Sequence, residues 1–112
     1  MELPMTMFDP DELLALAHLD LNKERYDQAL ARLKVLMSAQ EVPIAAYSML
    51  GRVYAILGLH ERAKEALETY LRLRPDVVPE HFHLGMLYRD SGEGEQAMEI
   101  WAAVLAKARV FA

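Results

Sequence analysis

The chain contains no cysteine. Disulfides, thiolate nucleophiles and cysteine-based zinc sites are excluded, and the redox compartment stays open. It also lacks any run of Lys and Arg: 12 basic residues are interspersed among 17 acidic ones, for a net charge of −5. Phosphate backbones need a clustered basic footprint, so nucleic acid is not an expected partner. No stretch reaches membrane-spanning length, and Met1 to Phe8 has neither a basic n-region nor a long apolar h-region. No membrane partner is expected. A soluble, cytoplasmic protein follows, unless the chain is a piece of something longer.

Reactive arrangements are missing as well. The sequence offers no Ser, His and acid set, no Gly-rich phosphate loop and no paired buried carboxylates. Four histidines are present, His18, His60, His81 and His83. His81 and His83 are two apart on a helix and point to nearly opposite sides, so they cannot share a metal. His18 and His83 can face one side together, but no carboxylate stands at ligand spacing beside either. Each histidine reads as satisfied or solvent-facing. No metal, no cofactor and no catalysis are expected.

What is present is an ordinary folded composition, 54% apolar and 26% charged, in 112 residues. One domain of that length buries roughly two-thirds of its unfolded surface. Strand alternation is absent and Val and Ile are scattered, so the fold class is all-α.

The chain is organised around an internal repeat. Leu50-Gly51-x-x-Tyr54 returns 34 residues later as Leu84-Gly85-x-x-Tyr88. Gly58 returns as Gly92, Ala63 as Ala97, Leu71 as Leu105, and Leu67 is answered by Trp101. Seven positions in register at one period, without a gap, mark a repeat architecture.

Six helices in three pairs follow from the punctuation. The first runs from about Pro10 to Asn22, with Asp9 as cap, Glu12 at the capping-box position, and Phe8 and Leu13 as a hydrophobic staple. Leu13, Leu16, Ala17 and Leu21 form its inner side. The second spans about Tyr26 to Ala39 and buries Ala29, Leu30, Leu33, Leu36 and Met37. Pro43 opens the third, which runs to about Leu57 and ends at Gly58. The fourth covers about His60 to Leu73, with Glu61, Lys64, Glu65, Glu68 and Arg72 on its outer face, Glu61 paired with Lys64 and Glu68 with Arg72. The fifth spans about Val77 to Asp90, and the sixth starts at Gly94.

A unit of this length with Leu-Gly-x-x-Tyr in one helix and Ala-x-x-x-large in the next resembles the tetratricopeptide repeat. The resemblance implies a single domain over residues 1–112, a right-handed α-α superhelix (solenoid) of three helix-turn-helix repeats. The repeats fall at about 10–43, 44–77 and 78–111, with 1–8 as a lead-in. The middle unit matches best, through Tyr47, Leu50, Gly51, Tyr54, Gly58, Ala63, Leu67 and Pro75. The first is degenerate, with Asp20 where Tyr is expected, and the third has Arg109 where the closing Pro belongs. The position late in the second helix, usually Ala in the family, holds Leu36, Tyr70 and Val104, which implies looser or differently angled packing between units. Gly51 and Gly85 fall where paired helices come closest, opposite Ala63 and Ala97, and Tyr54 and Tyr88 fill the wedge beside that contact.

In this family the first helix of each unit lines a concave groove. Carried over by position, the groove shows Leu14 and His18, then Ser48, Met49, Arg52 and Ile56, then Phe82, His83, Met86 and Arg89. Leu14, Met49, Ile56, Phe82 and Met86 give an apolar strip suited to an adaptable surface. Arg52 and Arg89 suit a carboxylate or the carbonyls of an extended peptide. The alternative is that Phe82 and Met86 are core and that Arg89 pairs with Asp90 or Glu93. The clamp used by family members that hold acidic chaperone tails is not implied. Its Lys, Asn and Arg positions hold Leu14, His18, Met49, Pro79 and His83 here. The strip is more similar to that of three-repeat secretion chaperones, which hold extended hydrophobic segments. The implied function is a protein-interaction scaffold, adaptor-like or chaperone-like, holding an extended or helical segment of another protein.

A second expectation concerns the last helix. Ile100 to Ala106 is apolar nearly all round, and Phe111 follows. A helix apolar on every side is normally covered on every side. Ile100, Trp101, Val104 and Phe111 are therefore a candidate self-association face, giving a homo-oligomer or a structural module within a longer chain. The alternative is that small residues inflate the run and Trp101 alone is core.

Overall fold

The computed structural model describes residues 9–110, and side chains over 9–106. It contains six helices: α1 (Pro10–Asn22), α2 (Tyr26–Leu36), α3 (Ile44–Ile56), α4 (His60–Leu73), α5 (Val78–Asp90) and α6 (Gly94–Val110). No strand occurs among the described residues. The helices pair as α1 with α2, α3 with α4 and α5 with α6, and the pairs stack in chain order. The resulting body measures 55 × 29 × 22 Å, with a radius of gyration of 15.7 Å. A compact domain of this length has a radius near about 13 Å, so the stack is elongated. It is an all-α solenoid of helix-turn-helix repeats.

The three turns inside the pairs are one structure repeated. Arg25 N–H donates to Asp20 C=O, Leu59 N–H to Tyr54 C=O and Glu93 N–H to Tyr88 C=O, each at 2.8 Å. With the companion bonds from Glu24, Gly58 and Gly92 one residue earlier, each is a Schellman closure that satisfies orphan carbonyls at the helix end. Such a closure needs a left-handed residue. Gly58 and Gly92 supply it at φ 79° and 82°, and the degenerate first repeat forces Glu24 into the same region at φ 59°.

Helix starts follow local chemistry. Asp9 caps α1 by accepting from Asp11 N–H at 3.0 Å, while Phe8 of the expected staple lies outside the described residues. Pro43 sits just before α3 rather than inside its first turn. The second helix is shorter than expected. Ser38 and Ala39 bond back to Val35 and Leu36 in tight turns, and the Ser38 hydroxyl also takes the Val35 carbonyl at 2.6 Å. That local competition stops α2 at Leu36.

Two core clusters hold the stack. One joins the first and second repeats through Ala17, Leu21, Leu33, Leu36, Leu50 and Val53, among others. The other joins the second and third through Ala63, Leu67, Leu71, Leu84 and Leu87. Tyr54 packs against both, which is the wedge role its position demands. The glycines sit at the closest approach. A methyl at Gly51 would lie 2.7 Å from Leu67 Cγ, and one at Gly85 only 2.2 Å from Trp101 Nε1. The large residues Leu67 and Trp101, more than the alanines opposite, are what require glycine there.

Several side chains stand elsewhere than expected. Leu16 and Met37 are exposed rather than internal. Lys64 is buried rather than outward: it pairs with Glu61 at 2.8 Å and with Glu93, and its ammonium lies 4.6 Å from the centre of the Tyr88 ring. Burial works to lower the Lys64 pKa, but the hydrogen bonds and charges of Glu61 and Glu93 outweigh it and the pKa is raised. Glu68 and Arg72 do not pair. Arg72 donates to Thr69, and Glu68 accepts from the Tyr88 hydroxyl at 3.3 Å. Asp20, at the Tyr position, is buried and accepts from Arg32 Nε at 2.6 Å, with Arg25 at 3.9 Å. A polar pair thus replaces the aromatic wedge of the other repeats. Leu36 and Val104 are fully accommodated in the core, while α4 and α6 stay apart over a cleft of about 470 Å³ floored by Leu71, Leu84, Ile100 and Ala103.

Candidate functional site

The first helices of the three repeats, α1, α3 and α5, place equivalent positions in rows. His18, Arg52 and Met86 share one position of the repeat, and Leu14, Ser48 and Phe82 share another. Because one face of each helix is committed to the core by Leu50 and Val53 in α3, and by Leu84 and Leu87 in α5, these rows are turned outward. Phe82 and Met86 are 41% and 44% exposed, and Ile56 is 47% exposed, so none of them is core. His18, Arg52 and Arg89 are exposed, and Leu14 and His83 are half-buried.

Met49 does not belong to that surface. It is buried in the first cluster, packed with Leu50 and Val53, and its thioether serves the joint between the first two repeats. Arg89 is engaged with Asp90 at 3.1 Å, both groups about half exposed. An exposed pair of that kind contributes little stability, so the guanidinium is free to change partners at small cost.

Electrostatics tie α3 to α5 across the face. His83 has its pKa lowered, first by burial and then by the positive charge of Arg52, with Glu80 acting in the opposite direction. The imidazole is therefore neutral at pH 7, and the fixed positive charge on this face comes from Arg52 and Arg89. Behind the face, Trp101 Nε1 donates to the Phe82 carbonyl at 3.3 Å, so α6 braces the turn of α5 that carries Phe82. Glu80 is the residue that spacing passed over: its Oε2 is buried without a hydrogen-bond partner one turn before His83. The only sequence signal for it was its place among the first-turn residues of α5.

The remaining histidines are scattered. His81 Nε2 contacts the Pro75 carbonyl at 2.9 Å. His60 departs from the expected satisfied or exposed state, since its Nδ1 is buried without a partner. Among the described residues no group of three or more His, Asp or Glu stands close enough to hold a metal ion. No helix among them is long and apolar enough to cross a membrane.

The expected self-association face is largely spent inside the chain. Val104 is buried, Ile100 packs against the second cluster, and Trp101 is half-buried beneath Gly85. Trp101 is not the lone core residue of α6 either, because Ala97 and Val104 are buried while Trp101 is only half-buried. Phe111 lies outside the described residues. The apolar side chains that α6 does expose are Met98 and Leu105.

With the repeat geometry in place, residues 44–77 match the family model described as tetratricopeptide repeat. Residues 44–77 are thus a tetratricopeptide repeat, and the helix pairs on either side share its helix-turn-helix architecture. Its structure is similar to solved structures of MamA. One crystal structure of MamA aligns at a TM-score of 0.82 with 21% identity, over 88% of this chain and 57% of that one. MamA 41-end from Desulfovibrio magneticus RS-1 aligns at 0.77 with 26% identity, over 84% and 53%. MamA MSR-1 C2 aligns at 0.83 with 21% identity, over 93% and 60%. At 21% identity the likeness is one of fold. The chain spans a little over half the length of these structures. Among curated proteins no sequence matches it. Tetratricopeptide repeats serve in general as protein-interaction scaffolds.

Proposed function

We propose that this tetratricopeptide-repeat scaffold holds an extended or helical apolar segment of a partner protein, adaptor-like or chaperone-like, along the face made by α1, α3 and α5. The observation that carries this reading is the exposure of Phe82, Met86 and Ile56 beside Arg52 and Arg89. Large apolar side chains left in the open next to fixed positive charge suit a segment with apolar anchors and carbonyl or carboxylate groups. Leu14 and His18 extend the strip onto the first repeat, and neutral His83 deepens it without adding charge. Binding rather than catalysis, at a site within a soluble compartment, is the role these side chains suit.

The test compares wild type with a Phe82→Glu, Met86→Glu variant that keeps its helical circular dichroism. Proteins cross-linked to wild type in native extract are identified, and the bound segment is resynthesised for titration. A segment bound by wild type and weakened about tenfold or more by the variant supports the groove. Equal affinity for both proteins overturns it.

A further inference from the structure

The repeat register sets the two joints of the stack side by side. In α3, Ala46 and Met49 are buried in the first core cluster, at 0% and 9% exposure, where the second repeat meets the first. At the same positions of the repeat, α5 holds Glu80 and His83, both half-buried and neither part of the second cluster. The second joint is polar where the first is apolar. α3 also packs directly on α1, whereas α5 is carried by α4 and α6 with little direct packing on α3. Tyr54 and Ala55 touch the second cluster from the C-terminal end of α3, but among the described residues no hydrogen bond or ion pair joins α3 to α5. The firm contact of α5 is with α4. Leu84 and Leu87 cluster with Leu67 and Leu71, Lys64 pairs with Glu93 and lies against Tyr88, and the Tyr88 hydroxyl donates to Glu68. The α4 side makes a pivot, and the α3 side has nothing comparable to hold it shut.

We propose that the joint between the second and third repeats is a proton-operated hinge: when His83 takes up a proton, α5 swings off α3 about its contact with α4, and the joint between the first two repeats stays shut. The charged groups that act on His83 are Arg52 of α3 and Glu80 of its own helix. From α4, Lys64 and Glu68 are turned to Glu93 and Tyr88, and α6 reaches this part of α5 through the uncharged Trp101. Burial and Arg52 disfavour the imidazolium more than Glu80 favours it, so the closed joint holds His83 below its ordinary pKa of 6.5. An imidazole released to water binds its proton more readily. By linkage, the open fraction rises as pH falls from 6.5 through the closed-state value. Glu80 acts in the same direction, because its Oε2 is buried without a hydrogen-bond partner and opening lets water reach it. At the first joint the equivalent residues, Ala46 and Met49, cannot titrate. Because α5 also carries Phe82 and Met86, the swing moves them away from Arg52 and Ile56 and widens the exposed face, whatever that face binds.

The experiment measures each joint as a distance between two spin labels. With no native cysteine, two can be introduced and labelled without background. Ala45→Cys with Pro79→Cys, at exposed equivalent positions of α3 and α5, reports the second joint; Asp11→Cys with Ala45→Cys reports the first. Distances are read by pulsed electron spin resonance from about pH 8 to about pH 5, with circular dichroism confirming intact helices at each pH. The distance between positions 45 and 79 is expected to lengthen as pH falls below 6.5, while that between 11 and 45 stays constant. The same labels in His83→Met, which gives the second joint the residue of the first, and in His83→Gln should hold the short distance throughout. No lengthening in the chain that keeps His83 overturns the proposal. So does equal lengthening in the two His83 variants, or lengthening of both joints together, because neither result belongs to a hinge worked by this imidazole.

Discussion

Replacing Gly85 with alanine places a methyl group where Trp101 already stands. The new Cβ would lie 2.2 Å from Nε1 and 2.7 Å from both Cδ1 and Cε2, against the roughly 3.5–4.0 Å of normal contact. The ring has to move by about an ångström or more, and a rigid bicycle cannot absorb that at one end. Overpacking of this sort costs about 1–3 kcal/mol, and losing the Trp101 hydrogen bond to the Phe82 carbonyl adds about 0.5–1.5 kcal/mol. Alanine returns up to about 1 kcal/mol through helix propensity, leaving a net loss of about 1–3 kcal/mol. For a domain of this size that is a fall of roughly 4–12 °C in Tm. Thermal and urea unfolding followed by circular dichroism read the stability. Emission from the single tryptophan reports whether its ring has been displaced toward water. Gly94→Ala is the control, since nothing lies within 4 Å of its added methyl, and it should be neutral or slightly stabilising. In a Trp101→Ala background the Gly85→Ala loss should vanish. Melting of Gly85→Ala at or above the wild-type temperature, with unchanged emission, would refute the closest-approach argument.

Glu24→Gly should stabilise the chain by about 0.5–1 kcal/mol in urea unfolding, because it relieves a left-handed backbone that the other repeats give to glycine. Asp20→Ala should cost about 1–3 kcal/mol by the same assay; the buried pair is broken, but Arg32 is 37% exposed and regains water. Lys64→Met should stay within about 1 kcal/mol of wild type, since Glu61 and Glu93 are exposed enough to resolvate, whereas Lys64→Ala should lose about 1–3 kcal/mol by emptying the space against Tyr88. His83 has a folded pKa below its ordinary 6.5, so the unfolded chain binds more protons in the window between the two values. Its contribution is fully present above 6.5 and is lost as pH falls through the folded pKa. Urea midpoints at about pH 7.5 and about pH 5 should differ more for wild type than for His83→Gln, and equal differences would remove His83 from the account.

The helices and their pairing were readable because they rest on local rules. Pro10 and Pro43 mark starts, Gly58 and Gly92 mark stops, and a period of 34 residues aligns the rest. Where local side-chain bonds compete, as at Ser38, spacing alone carried α2 three residues too far. The exposure of Phe82 and Met86 was readable by position, since it follows from where Leu84 and Leu87 must point. Met49 was not, because whether a side chain at the edge of a helix face is covered depends on how near the neighbouring repeat stands.

By itself, the sequence determined the repeat, the six helices, the glycines at closest approach and the absence of cysteine chemistry. All of these are properties of one residue and its near neighbours along the chain. Only the tertiary structure decided which charges are buried and which apolar residues are left over. Lys64 reads as surface until Glu93 and Tyr88 of the next repeat close over it. Leu16 reads as part of the inner side of α1, yet it is 40% exposed. Burial is a property of what packs against a residue, and in a solenoid that neighbour is the adjoining repeat, so one repeat position is buried at Leu71 and exposed at Met37.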